Sequence, residues 1–400
     1  MNYFVTGATG FIGKFLLERL LAREEAEIHV LVRDSSREKF EAMAQRYGDA
    51  TKRLHIVSGD ITTPGLVPAA SFKKLKGQID HVFHLAAVYD MYMDDDTADR
   101  VNNEGTRNVV AFANDLGGDV TLHHVSSVAV AGGDFRGKFT EKMFDEGQRL
   151  DHPYYRTKFQ SEAIVRNEAA VAFRIYRPGV VVGHSETGEM DKIDGPYYFA
   201  KAIQQLSYKV PKWMPLLGIE GGKVAIAPVD YVAAAMDIIA HKPGLDGQCF
   251  HLMQSSSPSV GDLLQAFLEA AHGPEFAKRM HLPAVPSSLK SLSSAVRRAV
   301  PKSLRAQVSR SIGVPASVLG YAVNQAVFDD RQARAALKDS GVRCPDLRDY
   351  VDTLWQYWEL FLDLKVKVTP RQMQKLSGKI VLVTGASSGI GFTTSKKLAA

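Results

Sequence analysis

Tyr154 and Lys158 close the run Tyr154-Tyr155-Arg156-Thr157-Lys158, and on a helix their spacing of four puts both on one face. A free tyrosine has a pKa of about 10 and is a sluggish acid at neutral pH. An ammonium beside it stabilises the phenolate and lowers that value. Such a tyrosine can give its proton to a carbonyl oxygen while a hydride arrives at the carbon. Ser127 stands at the end of the apolar run Thr121-Leu122-His123-His124-Val125-Ser126-Ser127, where its hydroxyl can hold the same oxygen as charge develops. Ser126 is the rival clamp. Tyr155 is a rival acid only if the spacing to the lysine is set aside. A tyrosine and a lysine four apart are common, so the pair gains its weight from the elements around it.

Hydride chemistry needs a carrier, and the first thirteen residues form a seat for one. Tyr3-Phe4-Val5 reads as a buried strand, Gly7, Gly10 and Gly13 follow in the frame GxxGxxG, and Phe15–Leu21 reads as helix. This strand–turn–helix brings a pyrophosphate onto free backbone N–H groups at the positive end of a helix. The candidate contacts are Gly7, Thr9, Gly10, Phe11, Ile12 and Gly13. Glycines serve there because a side chain would block the approach and some positions need positive φ. A second strand, Ile28–Val32, ends at Arg33, twenty residues after Gly13, where an acidic residue would favour NAD. Arg33, with Ser35 and Arg37, suits a 2′-phosphate and predicts NADPH, with Asp34 as the contrary signal. A third strand runs into Asp60-Ile61, where Asp60 either accepts from an adenine amino group or is a turn carboxylate. A fourth, His81–Leu85, ends in Ala86-Ala87, small enough for a dinucleotide to lie across. Strands alternating with helices predict an α/β fold with a doubly wound, Rossmann-type parallel sheet.

Composition bounds the rest. The chain has 400 residues, 45% of them hydrophobic and 23% charged, which is enough for a sizeable core and argues against long disorder. Cys249 and Cys344 form no metal spacing and no disulfide framework, in keeping with a reducing, cytoplasmic setting. No leader peptide and no apolar run of membrane-spanning length is read. The net charge of +5 is unevenly placed: residues 276–328 hold eight Lys or Arg and no Asp or Glu, so the remainder carries −3. Within 278–310, Leu289, Leu292, Val296 and Val300 recur at helical spacing beside Lys290, Arg297 and Arg298. This reads either as core-facing helices with solvated basic faces, or as a lid and platform for an anionic head or a membrane surface. The segment lacks interleaved stacking aromatics, which disfavours nucleic acid.

These motifs together resemble an extended short-chain dehydrogenase/reductase: TGATGFIG, HLAA, VNNEGT (101–106), VSSVAVAG (125–132), YYRTK and YRPGVVVG (176–183) stand in that order over about residues 1–370. The resemblance implies that Ser127, Tyr154 and Lys158 are the catalytic triad, with Tyr154 and Lys158 also touching the cofactor. It implies that Asn102 supports the lysine through water, the alternative being a packing or capping asparagine. It also implies that Pro178, Gly179 and Val180 bind the nicotinamide amide. Ala131 departs from the pattern, since many relatives carry tyrosine there, and this implies a roomier pocket.

The expected organisation is a nucleotide-binding domain over 1–179 and 222–250, and a smaller, mainly helical substrate domain over 180–221 and 251–365. Tyr350–Leu362 reads as a core helix carrying Leu354, Tyr357, Trp358, Phe361 and Leu362. Residues 366–377 read as a linker. The tail GKIVLVTGASSGIGFTTSKKLAA (378–400) resembles the opening of a single-domain short-chain reductase, with too few residues for a βαβ unit. Two reductase domains in one chain resemble bacterial alcohol-forming fatty acyl-CoA reductases, and the first domain resembles thioester-reductase domains. That implies a long-chain fatty aldehyde or acyl-CoA as substrate, the missing second domain as partner, and aldehyde-to-alcohol reduction as this domain's step, with thioester reduction as the alternative. Peripheral membrane contact through the basic segment is a separate expectation. A sterol-like carbonyl substrate, or an NADPH-binding regulatory module, are the other readings.

Overall fold

Short apolar runs alternate with amphipathic helices along the chain, and the computed structural model assembles them into a wound α/β sheet; it describes residues 1–88, 95–191, 195–210, 216–274, 276–280 and 325–363. The strands are β1 (Asn2–Thr6), β2 (Glu27–Val32), β3 (Leu54–Ser58), β4 (His81–His84), β5 (Thr121–Val125), β6 (Arg136–Phe139) and β7 (Ala172–Pro178). They continue with β8 (Val180–Val182), β9 (Leu216–Ile219), β10 (Ile226–Pro228), β11 (Cys249–Leu252), β12 (Phe276–Met280) and β13 (Gln325–Phe328). The helices are α1 (Phe11–Leu21), α2 (Arg37–Ala44), α3 (Ala69–Leu75), α4 (Asp95–Ala98), α5 (Gly105–Leu116) and α6 (Pro153–Glu168). The later ones are α7 (Ala200–Lys209), α8 (Val229–His241), α9 (Val260–Ala270), α10 (Arg331–Leu337) and α11 (Leu347–Tyr357).

Seven strands form one parallel sheet in the order β11-β7-β5-β4-β1-β2-β3. Helices cover both faces, which is why β1, β5 and β11 are buried along almost their whole length rather than at alternate residues. One face packs Leu16, Leu17 and Leu20 of α1 against Val232, Met236 and Ile239 of α8. The other buries Val109, Phe112 and Leu116 of α5 with Ile164 and Val165 of α6. The chain winds outward from β1 in both directions, so the ends of β1 and β4 frame the crevice where such sheets bind ligands.

A second apolar core lies outside the sheet. Phe267 and Leu268 of α9, Leu354 and Trp355 of α11, and Tyr197 and Ile203 around α7 fill it. This is the mainly helical part expected from the sequence, with two differences. The expected boundary between residues 250 and 251 cuts β11, whose pairing with β7 continues to Leu252. Ala333, Ala336 and Leu337 of α10 pack into the α1–α8 core and not with the helical part. Past Tyr357 the helix widens into a π turn, Trp358–Leu362, which shifts the buried stripe: Trp358 is buried, but Phe361 is 44% exposed and is not core.

Lys278 and Arg279 fall in β12, while Lys290, Arg297, Arg298, Lys302, Arg305 and Arg310, the expected linker and the 378–400 tail lie outside the described residues. Among the described residues no helix is long and apolar enough to cross a membrane.

Candidate active site

β1 delivers the chain into Gly7 at φ +76°, a conformation that L side chains resist, and a Cβ there would sit 2.5 Å from the Ala86 backbone nitrogen. At Gly13 a Cβ would run into the Gly7 carbonyl. The turn therefore leaves a cradle flush with the backbone. Gly10 caps α1 without any side-chain bond, so the first-turn N–H groups of α1 lack intrahelical partners and face an incoming anion. On the opposite wall, Gly179 lies against the Ala225 carbonyl, to which the Val180 N–H donates at 2.7 Å.

Ser127 follows β5 and starts a 3₁₀ turn, Val128–Ala131; its Oγ accepts from the Ala129 N–H at 3.1 Å and from the Tyr154 hydroxyl at 3.3 Å. Tyr154 stands in the first turn of α6, whose start is set by Pro153 and by the His152 ring accepting the Tyr154 N–H. One turn on, Lys158 is buried and donates to the Val125 carbonyl at 3.3 Å. Burial pushes its pKa down to about 8, against the opposing pull of the Glu162 charge.

One cavity of about 710 Å³ joins these parts. It is lined by Gly7, Thr9, Gly10, Phe11, Ile12 and Gly13 from the turn, by Ala87, by Ser127, Tyr154 and Lys158, and by Pro178, Gly179 and Val180. Ser126 shares the wall, but its hydroxyl donates away from the cavity's other hydroxyls, to Glu162 at 2.6 Å.

Six expected residues do not line it. Arg33 is exposed at the end of β2, and Arg37 donates to the Ser58 hydroxyl at 2.7 Å. The Asp60 carboxylate accepts from the Thr62 N–H and hydroxyl, both at 2.9 Å, which is the turn-carboxylate reading. Ile61 is buried against Gly105, and the Ala86 N–H donates to Thr6 Oγ1 at 3.3 Å. Asn102 lies in a π turn, Asp99–Glu104. Its amide joins Val88, through the Val88 N–H at 2.9 Å, to Thr157 Oγ1 of α6 at 3.2 Å. It thus ties the loop after β4 to the helix that carries Tyr154 and Lys158. Ala131 packs with Val130 and Phe139, and the cavity wall at this turn is built from its neighbours Ala129 and Gly132.

Sequence reasoning missed Lys39, Met190, Asp191, Lys223 and Phe328, which also border the cavity, as does the rival tyrosine Tyr155. Lys39 continues the cationic run of Arg33 and Arg37, a signal that was present. Met190 and Asp191 are brought in by a distant tie: buried Lys14 of α1 pairs with Glu189 at 2.7 Å and with Asp191. Arg46 adds a pair to Glu189 at 2.9 Å. Burial pushes the Glu189 carboxyl up, but hydrogen bonds from Arg46 and Lys14 overcome this and hold its pKa at about 2.

Residues 5–236 match the male sterility protein family of NAD-binding domains, and the chain belongs to that family. It is therefore an NAD(P)-binding oxidoreductase domain. The glycine betaine reductase ATRR of Emericella nidulans is 26% identical over 428 residues, covering 99% of this chain and 32% of that protein. The aldehyde reductase lnbA of Aspergillus flavus is 28% identical over 310 residues, covering 69% of this chain and 30% of its own length. The chain spans between 26% and 32% of the first curated relatives it matches. In fold it is similar to the terminal R domain of the myxalamid biosynthetic pathway, at a TM-score of 0.72, 24% identity and 92% coverage of both chains. It is similar also to a thiolation-reductase di-domain of an archaeal non-ribosomal peptide synthetase, at 0.67 and 22% identity, covering 90% of this chain and 75% of that one.

Proposed function

We propose that this domain transfers hydride from NADPH to the carbonyl carbon of an apolar acyl group, presented as a thioester or as the aldehyde, with Tyr154 as the proton donor. The observation that carries this reading is the single cavity in which Tyr154, Ser127 and Lys158 face the glycine turn and Pro178–Val180. The cradle left by Gly7 and Gly13 fits a dinucleotide pyrophosphate, and the sequence position of Arg33, exposed after β2 and followed by Arg37 and Lys39, supports NADPH rather than NADH.

Bound NADPH supplies the hydride; the chain's own residues do the rest. Ser127 Oγ already accepts the Ala129 N–H, so its own proton is free to point at a substrate oxygen. Tyr154, now donating to Ser127, turns the same proton to that oxygen as negative charge grows on it. Lys158 stabilises the phenolate left behind. With a thioester, the product of this step is a hemithioacetal; its C–S bond then breaks, the thiol leaves with a proton, and the aldehyde remains. A second hydride and a second proton convert the aldehyde to the alcohol.

Val128, Ala129, Met190, Val224 and Phe328 give the substrate side an apolar wall, which supports a long-chain fatty aldehyde or acyl-CoA. A carrier-bound acyl thioester is a second reading, favoured by fungal relatives named as non-canonical nonribosomal peptide synthetases. The test is NADPH oxidation with a long-chain aldehyde and its matching acyl-CoA, side by side, by the wild type and by Tyr154→Phe. The expected result is turnover of at least one substrate, and a loss of about 10²- to 10⁴-fold in Tyr154→Phe with NADPH binding kept. Unchanged turnover in that variant would sink the proposal.

A further inference from the structure

We infer that Ser126, Glu162 and Arg177 are positioning residues that set the Ser127 hydroxyl against Tyr154; the inference rests on the reading of Ser127 as the oxygen clamp. Glu162 lies on α6, one turn past Lys158 and two past Tyr154. Its carboxylate meets the two other elements that build the site. Ser126 Oγ, at the end of β5, donates to Oε2 at 2.6 Å. Arg177, at the end of β7 and next to Pro178, donates to Oε2 through Nε at 2.9 Å and to Oε1 through Nη2 at 2.6 Å. Arg166 adds a bond to Oε1 at 2.9 Å. Glu162 and Arg177 are both 0% exposed, so water does not compete for these bonds.

The geometry makes this more than a buried ion pair. Ser126 and Ser127 are adjacent residues just past the end of β5, so holding the Ser126 side chain restrains the peptide that carries Ser127. The Ser126 N–H is itself fixed to the Tyr176 carbonyl at 2.8 Å. Ser127 is thus held, through its neighbour, by the same helix whose first turn presents Tyr154. The gap being set is sensitive: Tyr154 and Ser127 oxygens stand 3.3 Å apart, at the long edge for a hydroxyl pair, so a shift of a few tenths of an ångström decides whether both can reach one oxygen. Arg177 extends the grip by donating to the Met143 carbonyl at 2.9 Å with its guanidinium 5.5 Å from the centre of the Phe139 ring. One carboxylate therefore registers the serine strand, the tyrosine helix and the Pro178–Val180 wall against each other.

The probe is Ser126→Ala, because it cuts one bond and leaves the Glu162–Arg177–Arg166 charges paired. The readouts are single-turnover NADPH oxidation, NADPH affinity and melting temperature, in Ser126→Ala, Ser127→Ala and the double variant. We expect Ser126→Ala to lower the rate about tenfold, with NADPH affinity and melting temperature close to wild type, and to lower it no further when added to Ser127→Ala. A rate within twofold of wild type would overturn the inference. So would a full tenfold loss on top of Ser127→Ala, since Ser126 would then act without Ser127. A Ser127→Ala enzyme as fast as wild type would instead remove the clamp itself, and the single variant alone reveals that case.

Discussion

Lys158 and Glu162 are successive buried charges on one face of α6, and the protein treats them in opposite ways. Glu162 is surrounded: two guanidiniums and a hydroxyl satisfy both its oxygens, and although burial raises its pKa, the Arg177 charge and hydrogen bonds bring the carboxyl below its usual range. Lys158 meets one backbone carbonyl at 3.3 Å and, among the described residues, no carboxylate within ion-pair distance, and its pKa falls to about 8. A fully paired charge has nothing left to offer a reactant. A charge left short of partners in a cavity wall keeps its field for whatever enters. Chemistry and framework are separated here by a single helical turn.

The largest effect should come from breaking the paired member. Glu162→Ala leaves the fully buried Arg177 guanidinium without its carboxylate, a change that typically costs about 3–5 kcal/mol. Thermal or urea unfolding should show a large fall in stability or no soluble protein. A variant as stable as wild type would mean that the pair is spectator to the fold, and the contrast with Lys158 would collapse.

The unpaired member should respond the other way. Lys158→Met removes a buried ammonium, so melting temperature should hold or rise while turnover falls about a hundredfold or more. Its pH behaviour has a definite sign. The folded pKa, about 8, lies below the ordinary lysine value of 10.5, so between these pH values the unfolded chain binds more protons than the folded one. Stability should therefore climb with pH across that window in the wild type and stay flat in Lys158→Met. Activity runs opposite: kcat/KM should fall as pH rises through about 8, where the ammonium that supports the phenolate is lost. A wild-type profile flat to pH 10 would show that Lys158 is not the titrating partner.

How far the sequence reveals such a contrast depends on the range of the interaction. The glycine turn, the serine at the end of β5 and the Tyr154–Lys158 spacing are local patterns, legible because a strand end or a helix turn alone places them. The Glu162–Arg177 pair joins a helix to a strand, and nothing in either segment names the other. The Lys14–Glu189 tie spans 175 residues and is invisible until the chain folds. At Ala131 the sequence shows only that a tyrosine is missing; that the 3₁₀ turn packs this residue into the Phe139 cluster appears only in the fold. At Asp60 the sequence leaves a choice between an adenine partner and a turn carboxylate, and only the fold shows the two Thr62 bonds to its Oδ1.

Lys14 sharpens the comparison because it is a third buried charge, directly after the glycine turn, where a cation is easily read as a phosphate binder. Unlike Lys158, it is fully engaged by Glu189 and Asp191, at the far side of the loop that brings Met190 to the cavity. Its role by this logic is to hold that loop, not to meet the reacting groups. Lys14→Met should leave the maximal rate near wild type and weaken NADPH binding about 3- to 5-fold, roughly 1 kcal/mol or less. Glu189 is not stranded, since Arg46 still pairs with it at 2.9 Å, so the fold should tolerate the change. Titrating NADPH against both proteins and comparing kcat at saturation would separate the two roles. A large fall in kcat with affinity intact would place Lys14 with Lys158, among the charges that act on the substrate.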